Sequence, residues 1–267
     1  MMKIEMLGCR GSVPVSGDAY RIFGHATTCI RISTEEWEIY VDAGSGICSA
    51  RPDPEKKCAL FLSHWHLDHL CGLMFFPALL EENRRIRLYA RPEKKYGSLQ
   101  KSLETLFSPP YWPVRPETLP ASLSYHPIEP ETKELLFGGL SVRIIEGMHP
   151  GGVCLFRFSS GAHSVVVATD YEHSPAGDEA LCALAKDTQL LIYDGAYTPE
   201  EYPLYKGYGH STAAHGLSVA ERANAKALWI THHSPSHTGQ MLLSLEASFA
   251  HASVPVRFAR CNDVCEV

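Results

Sequence analysis

No apolar run in this sequence is long enough to cross a bilayer; the longest stretches, such as residues 70–80, stop well short. The opening MMKIEMLGCRGS lacks the basic start, apolar core and small-residue cleavage site of an export signal. A basic excess is also missing: 24 Lys and Arg face 30 Asp and Glu, for a net charge of −6. Binding long nucleic acid through its phosphates needs a basic surface, so this balance favours a small substrate over a long polyanion. The nine cysteines contain no CxxC pair; CNDVC at 261–265 is the closest spacing, better read as a fraying terminus than as a zinc site. Thiols without an export signal or a tight framework read as reduced, in a cytoplasmic protein. Low-complexity segments and short repeats are absent.

What is present is ordinary globular composition: 267 residues, 45% hydrophobic and 20% charged. That is enough for a single domain over 1–267, built from two β-rich halves. Runs rich in β-branched and aromatic residues predict strands at KIEMLG, TTCIRIS, EWEIYVDAG and ALFLSH, then at LSVRIIEGMH, VCLFRFSS, HSVVVATD, LLIYDGA, ALWITHH and VPVRFA. Helical patterns fall on LDHLCGLMFFPALL, GSLQKSLETLF, GDEALCALAKD, STAAHGLSVAERANA and TGQMLLSLEASFAHA. ENRRIRLYARPEKK reads as solvated surface, and the proline-rich 109–130 as irregular chain covering a site. This pattern suggests two sheets face to face with helices outside.

Three histidines and an aspartate take four of the six positions of HWHLDH, after an apolar strand. Alternation puts His64 and His66 on one side, and a tight turn returns Asp68 and His69 to the same pocket. Imidazole and carboxylate together suit Zn²⁺, with Mn²⁺ or Fe²⁺ as alternatives. Four such groups exceed what one tetrahedral ion with an open position takes, so two ions are expected. Desolvated polar groups beside an apolar strand need something to satisfy them.

HWHLDH resembles the HxHxDH signature of the metallo-β-lactamase-fold hydrolases. VDAGSG, GMHPGG, VVVATD and WITHHSP are similar to that family's other motifs, in the same order and at strand ends. The resemblance implies an α/β (α+β) fold, a four-layer αββα sandwich of two mixed sheets, with a dinuclear metal centre. It implies His64, His66 and His149 on one ion, Asp68, His69 and His232 on the other, and Asp170 between them. Asp42 would orient a ligand histidine, and His233 would face away from the site if strand alternation persists.

DGAYTPEEY followed by KGYGHSTAAHG is similar to the tRNA 3′-processing ribonucleases and the cyclic phosphodiesterases of this fold. The likeness implies catalytic roles for His210 and Asp194, alongside Asp68 at the metals. His210 would give a proton to the leaving alkoxide after attack by a hydroxide between the ions. The plainer reading of His210 is a polar residue at a helix start capped by Ser211. His25 could serve the site or hold its loop, His215 reads as surface, and Tyr197, Tyr202, Tyr205 and Tyr208 crowd one loop. Only the twenty residues 150–169 separate His149 from Asp170, which leaves no room for the ribonucleases' basic arm. The expected substrate is therefore a small cyclic nucleotide or cyclic phosphate, with no membrane partner; homodimerisation is left open. Alternatives are a nuclease, a thioesterase or lactonase, and a non-catalytic metal-binding module.

Overall fold

The computed structural model describes residues 1–137 and 139–267. The first half forms β1 (Lys3–Gly8), β2 (Cys29–Ser33), β3 (Trp37–Val41), β4 (Lys57–Phe61), β5 (Arg85–Ala90), α1 (Leu99–Leu106) and β6 (Ser122–Pro127). The second half begins with β7 (Glu134–Phe137), β8 (Leu140–Gly147), β9 (Val153–Ser160), β10 (His163–Ala168), α2 (Pro175–Ala185) and β11 (Leu190–Asp194). It continues with α3 (Tyr202–Tyr205), α4 (Ala213–Arg222), β12 (Leu228–Thr231), α5 (Gly239–Ala247), β13 (Val256–Phe258) and β14 (Val264–Glu266).

Two seven-stranded sheets result, ordered β14-β1-β2-β3-β4-β5-β6 and β13-β12-β11-β10-β9-β8-β7. In the first, β1, β2 and β3 pair antiparallel and β3 to β6 run parallel. The second repeats the scheme, with β7 to β10 antiparallel and β10 to β13 parallel. Apolar side chains from both inner faces, among them Ile4, Ile39, Phe61, Val142, Phe156, Phe158, Val165 and Ile192, make the central core. A second core lies between the first sheet and the segments around Leu73, Phe76 and α1. A third lies between the second sheet and the helices carrying Leu181, Val219 and Leu242. These are the four layers expected. Phe61 is the hub of the central layer: its ring stacks on Tyr89 at 4.6 Å and meets Phe137, Phe156 and Phe158 edge-on.

Several expectations need correction. Residues 67–80 form no α-helix but three 3-10 turns, Leu67–His69, Leu73–Phe75 and Pro77–Leu80. Gly72 must lie against the Gly44 carbonyl, where a Cβ would come within 2.3 Å, and Pro77 blocks helix propagation. Residues 85–90 are no surface segment but the interior parallel strand β5, whose Ile86, Leu88 and Ala90 are buried while Arg85 and Arg87 point to water. Part of the stretch 109–130 is the edge strand β6. The C-terminus does not fray: β14 pairs with β1, and Met2 and Val267 exchange backbone hydrogen bonds of 2.8 and 2.9 Å. The α4 cap is Thr212, not Ser211; its side chain accepts from the His215 N–H. None of the described helices is long and apolar enough to cross a membrane.

Replacing Phe61 by Ala removes the hub ring and leaves a cavity between the sheets. The expected loss is about 3–5 kcal/mol of stability, read as a lower urea midpoint at unchanged slope. A shift below about 1 kcal/mol would show that the sheets close over the gap.

Candidate metal centre

Parallel strands carry their C-terminal ends to one rim of the sandwich, and the polar residues sit just past those ends. Asp42 follows β3, His64 follows β4, His149 follows β8, Asp170 follows β10, Asp194 closes β11 and His232 follows β12. Asp42, Asp170 and His232 adopt the left-handed conformation, with φ of 63°, 55° and 58°. Asp and His tolerate it better than bulkier residues, and it turns each side chain sharply inward from its strand.

Three groups of ligand-type atoms form among the described residues, each within 4.8 Å internally: His64, His66 and His149; then Asp68, His69, Asp170 and His232; and, overlapping the second, Asp170, Asp194, His210 and His232. In the first, the Ser63 hydroxyl donates to Asp42 at 2.8 Å and accepts from His64 Nδ1 at 2.9 Å. His149 Nδ1 donates to the Gly209 carbonyl at 2.8 Å. Both rings are thereby fixed with an Nε2 lone pair turned inward. His66, the exposed member, brings Nδ1 to 3.0 Å from His149 Nε2. Burial lowers the pKa of His64 and His149, and partial burial that of His66, so all three favour the neutral, ligating form.

In the second group, His69 Nδ1 donates to Asp42 at 2.8 Å, and its Nε2 lies 3.1 Å from Asp170 and 3.3 Å from Asp68. His232 Nε2 lies 3.1 Å from Asp170 and 3.2 Å from Asp68. The Ser12 N–H donates to Asp68 at 2.8 Å. Asp170 Oδ1 is 3.8 Å from His64 and 3.9 Å from His149, so one carboxylate reaches both groups. Burial opposes charge on His69 and His232, but Asp170 outweighs it, aided by Asp42 at His69 and Asp68 at His232; His69 rises well above its usual range and His232 to about 10. Burial likewise works against the Asp68 and Asp170 carboxylates, yet His69 and His232 hold both pKa values low.

The donor set fits two borderline divalent cations such as Zn²⁺: neutral imidazoles, carboxylates, and one carboxylate shared. His64 Nε2 is buried with no hydrogen-bond partner among the described residues, 3.8 Å from Asp170.

His210 Nδ1 lies 2.8 Å from the buried Asp194 and 3.9 Å from Asp170, and its ring stacks on His232. Asp194 also accepts from the backbone N–H of Ala196 and Ser211, so its position is fixed. His233 turns away, its Nε2 2.8 Å from the Ala259 carbonyl and its ring between Phe23 and Phe258. His25 contacts the Gly17 carbonyl in its own loop, and His215 is half-buried against His173. Tyr197, Tyr205 and Tyr208 line a cavity of about 270 Å³ with Ser12, His210 and His232. Tyr202 instead donates to Glu172.

Glu172 is the residue that sequence reading missed. Buried, it accepts from the Gly207 N–H at 2.7 Å and the Gly209 N–H at 2.8 Å. It thereby holds the loop whose Gly209 carbonyl orients His149 and whose next residue is His210. Gly209 has φ of 89°, and a Cβ there would lie 2.2 Å from His149 Nδ1. The available signal was an acid two residues beyond Asp170.

Metal loading of stripped protein at pH 7 should release protons from His69 and His232. Titration calorimetry in buffers of different ionisation enthalpy should then give different heats; equal heats would contradict the assignment. Asp42→Ala frees His69 and Ser63, and metal affinity should fall about 10–100-fold by chelator competition. Glu172→Ala should weaken metal retention and turnover together, whereas a purely catalytic loop would leave metal content unchanged.

Comparison with known proteins agrees with this architecture. The probable metallo-hydrolase YhfI of Bacillus subtilis (strain 168) is 23% identical over 234 residues, 86% of each chain. Its crystal structure matches 100% of this chain and 99% of its own, with a TM-score of 0.74 at 19% identity. Ribonuclease Z of Lactiplantibacillus plantarum is 24% identical over 309 residues, 95% of each chain. A diphosphatase from the PhnP family has a TM-score of 0.71 at 17% identity, covering 100% of this chain and 98% of its own. At such identities the solved structures speak for the fold alone. The family described as beta-lactamase superfamily domain matches residues 38–233, and the chain belongs to that superfamily.

Proposed function

We propose that this chain is a metal-dependent hydrolase of phosphodiesters, acting on a small cyclic nucleotide or cyclic phosphate with two divalent cations, Zn²⁺ first among them. The observation that carries the reading is the His210–Asp194 pair beside Asp170. The cations, when bound, would supply Lewis acidity toward the phosphoryl oxygens and acidify water at neutral pH.

The chain's own residues do the rest. His64, His66 and His149 would hold one ion and Asp68, His69 and His232 the other, with Asp170 within reach of both groups. Asp194 accepts the Nδ1 proton of His210 and leaves Nε2 for substrate. In its doubly protonated form, with Nδ1–H on Asp194, His210 donates from Nε2–H to a phosphoryl oxygen or gives that proton to the departing alkoxide and is left neutral, a role worth about 10²–10⁴-fold in rate. A thioester or lactone would need no such group. Tyr197, Tyr205 and Tyr208 offer aromatic walls to a base or ring, in a cavity sized for a small molecule.

The net charge of −6 favours a small substrate. So does the antiparallel pair β9–β10, which fills the interval from His149 to Asp170 without an arm. The likeness to a ribonuclease Z supports a second reading, cleavage of RNA ends.

His210→Ala should keep its metal and lose about 10²–10⁴-fold in kcat on bis(p-nitrophenyl) phosphate and cyclic nucleotides. Metal analysis run beside that panel, with an oligoribonucleotide and a thioester included, decides the substrate class. Full metal with no phosphodiester turnover would sink the proposal. Oligoribonucleotide cleavage that falls steeply with salt would favour the nuclease.

A further inference from the structure

Cys9 and Cys261 are 252 residues apart in sequence, yet their sulfurs lie 3.8 Å from each other. Cys9 is fully buried at the end of β1, its sulfur 3.0 Å from the Phe23 carbonyl. Cys261 is half-buried, just before β14, and its side chain occupies the space over Gly24, where a Cβ would meet its sulfur at 2.3 Å. Cys261 therefore pairs with Cys9 rather than with Cys265 in CNDVC. Arg10 adds a cation beside the pair. Its side chain is buried, its Nε donates to the Gly24 carbonyl, and its Nη2 finds no partner among the described residues. The Cys9 thiol as donor, the Ala26 and Cys9 backbone, and Arg10 hold the Cys261 thiol at about 6 against its burial, while Cys9 is pushed up. One sulfur is thus poised as a thiolate and the other as its proton-carrying neighbour.

We infer that Cys9 and Cys261 are a dithiol modification site, oxidised to a disulfide by hydroperoxides. The Cys261 thiolate attacks a peroxide oxygen, the O–O bond breaks, and the departing oxygen leaves as water after protonation. The Cys9 sulfur then attacks the Cys261 sulfenic acid: the S–S bond forms, the S–O bond breaks, and the Cys9 proton leaves with hydroxide as a second water. Two thiols and one hydrogen peroxide give one disulfide and two waters, a balanced two-electron oxidation.

Closing the gap from 3.8 Å to a bond of about 2.05 Å would displace the side chains of Cys9 and Cys261 and pull on the backbone that carries them. That backbone leads directly into the metal centre. The Cys9 carbonyl accepts from the His233 N–H at 2.9 Å, and Gly11 N–H donates to the His233 carbonyl at 3.0 Å. Gly11 lies so close to the His232 ring that a Cβ would sit 2.3 Å from it. Ser12 N–H holds Asp68. Oxidation should therefore loosen the second metal group; this coupling rests on the two-ion reading above.

The test treats full-length, metal-loaded protein with hydrogen peroxide, alkylates without reduction and maps the peptides by mass. The expected product is a crosslinked Cys9–Cys261 peptide pair, absent in Cys261→Ser and in Cys9→Ser. Over-oxidised Cys261 with free Cys9, or a link among the exposed Cys48 and Cys71 instead, would overturn the site. Chelator competition on the same samples should show zinc held about 10-fold or more less tightly after oxidation, a change that Cys261→Ser abolishes. A crosslink with unchanged zinc affinity overturns the coupling and leaves the dithiol standing. Zinc binding absent from reduced and oxidised protein alike would count against the two-ion reading, while the peptide map still decides the dithiol.

Discussion

Asp42, Asp170 and Asp194 are buried, and Asp68 joins them at the same rim. Removing a carboxylate from water costs several kcal/mol unless charge and hydrogen bonds compensate it. Hydrogen bonds compensate two of them: Ser63 and His69 satisfy Asp42, and Ala196, Ser211 and His210 satisfy Asp194. Asp68, which also accepts from the Ser12 N–H, and Asp170 face imidazole nitrogens that carry protons when no other cation is near. The site is therefore a negatively charged cage with movable positive charge. Divalent ions would compete for those positions, with binding coupled to proton loss.

Holding this cage together demands backbone that a plain strand does not supply. Asp42, Asp170 and His232 are left-handed, a cost of about 1 kcal/mol or more each that persists only where packing over-determines it. The central core provides that packing. Phe61, three residues before His64, is locked among Tyr89, Phe137, Phe156 and Phe158. Rigid strands thus set where the ligand loops start. Around them, Ser63 orients His64, and the Gly209 carbonyl, in a loop held by Glu172, orients His149, so both rings turn Nε2 inward. His210 shares this support: Glu172 holds the loop before it and Asp194 holds its ring.

Much of this was readable in order of residues. HWHLDH, with His149, Asp170 and His232 at later strand ends, announced a clustered site because those residue types have few other reasons to recur there. His210 and Asp194 were legible as a pair, and the structure brings them to 2.8 Å. Other features were not legible. RRIRLYA looked like surface because arginines alternate with apolar residues; only its place between β4 and β6 buries one side. LDHLCGLMFFPALL has a helical pattern, but Gly72 against Gly44 and the proline break it into short turns. Val264–Glu266 is too short to announce a strand until β1 offers it an edge.

The sequence by itself determined the layered class and the gathering of ligand-type residues at successive strand ends, since strand patterns and residue types are local properties. Tertiary structure alone decided what orients that chemistry. Ser12 on Asp68, Ser63 between Asp42 and His64, Glu172 under the His210 loop and Cys9 against Cys261 are contacts set by packing, most of them between segments distant in the chain. Contacts between distant segments have no periodicity to read. They exist only once two sheets have closed and brought their strand ends to one rim.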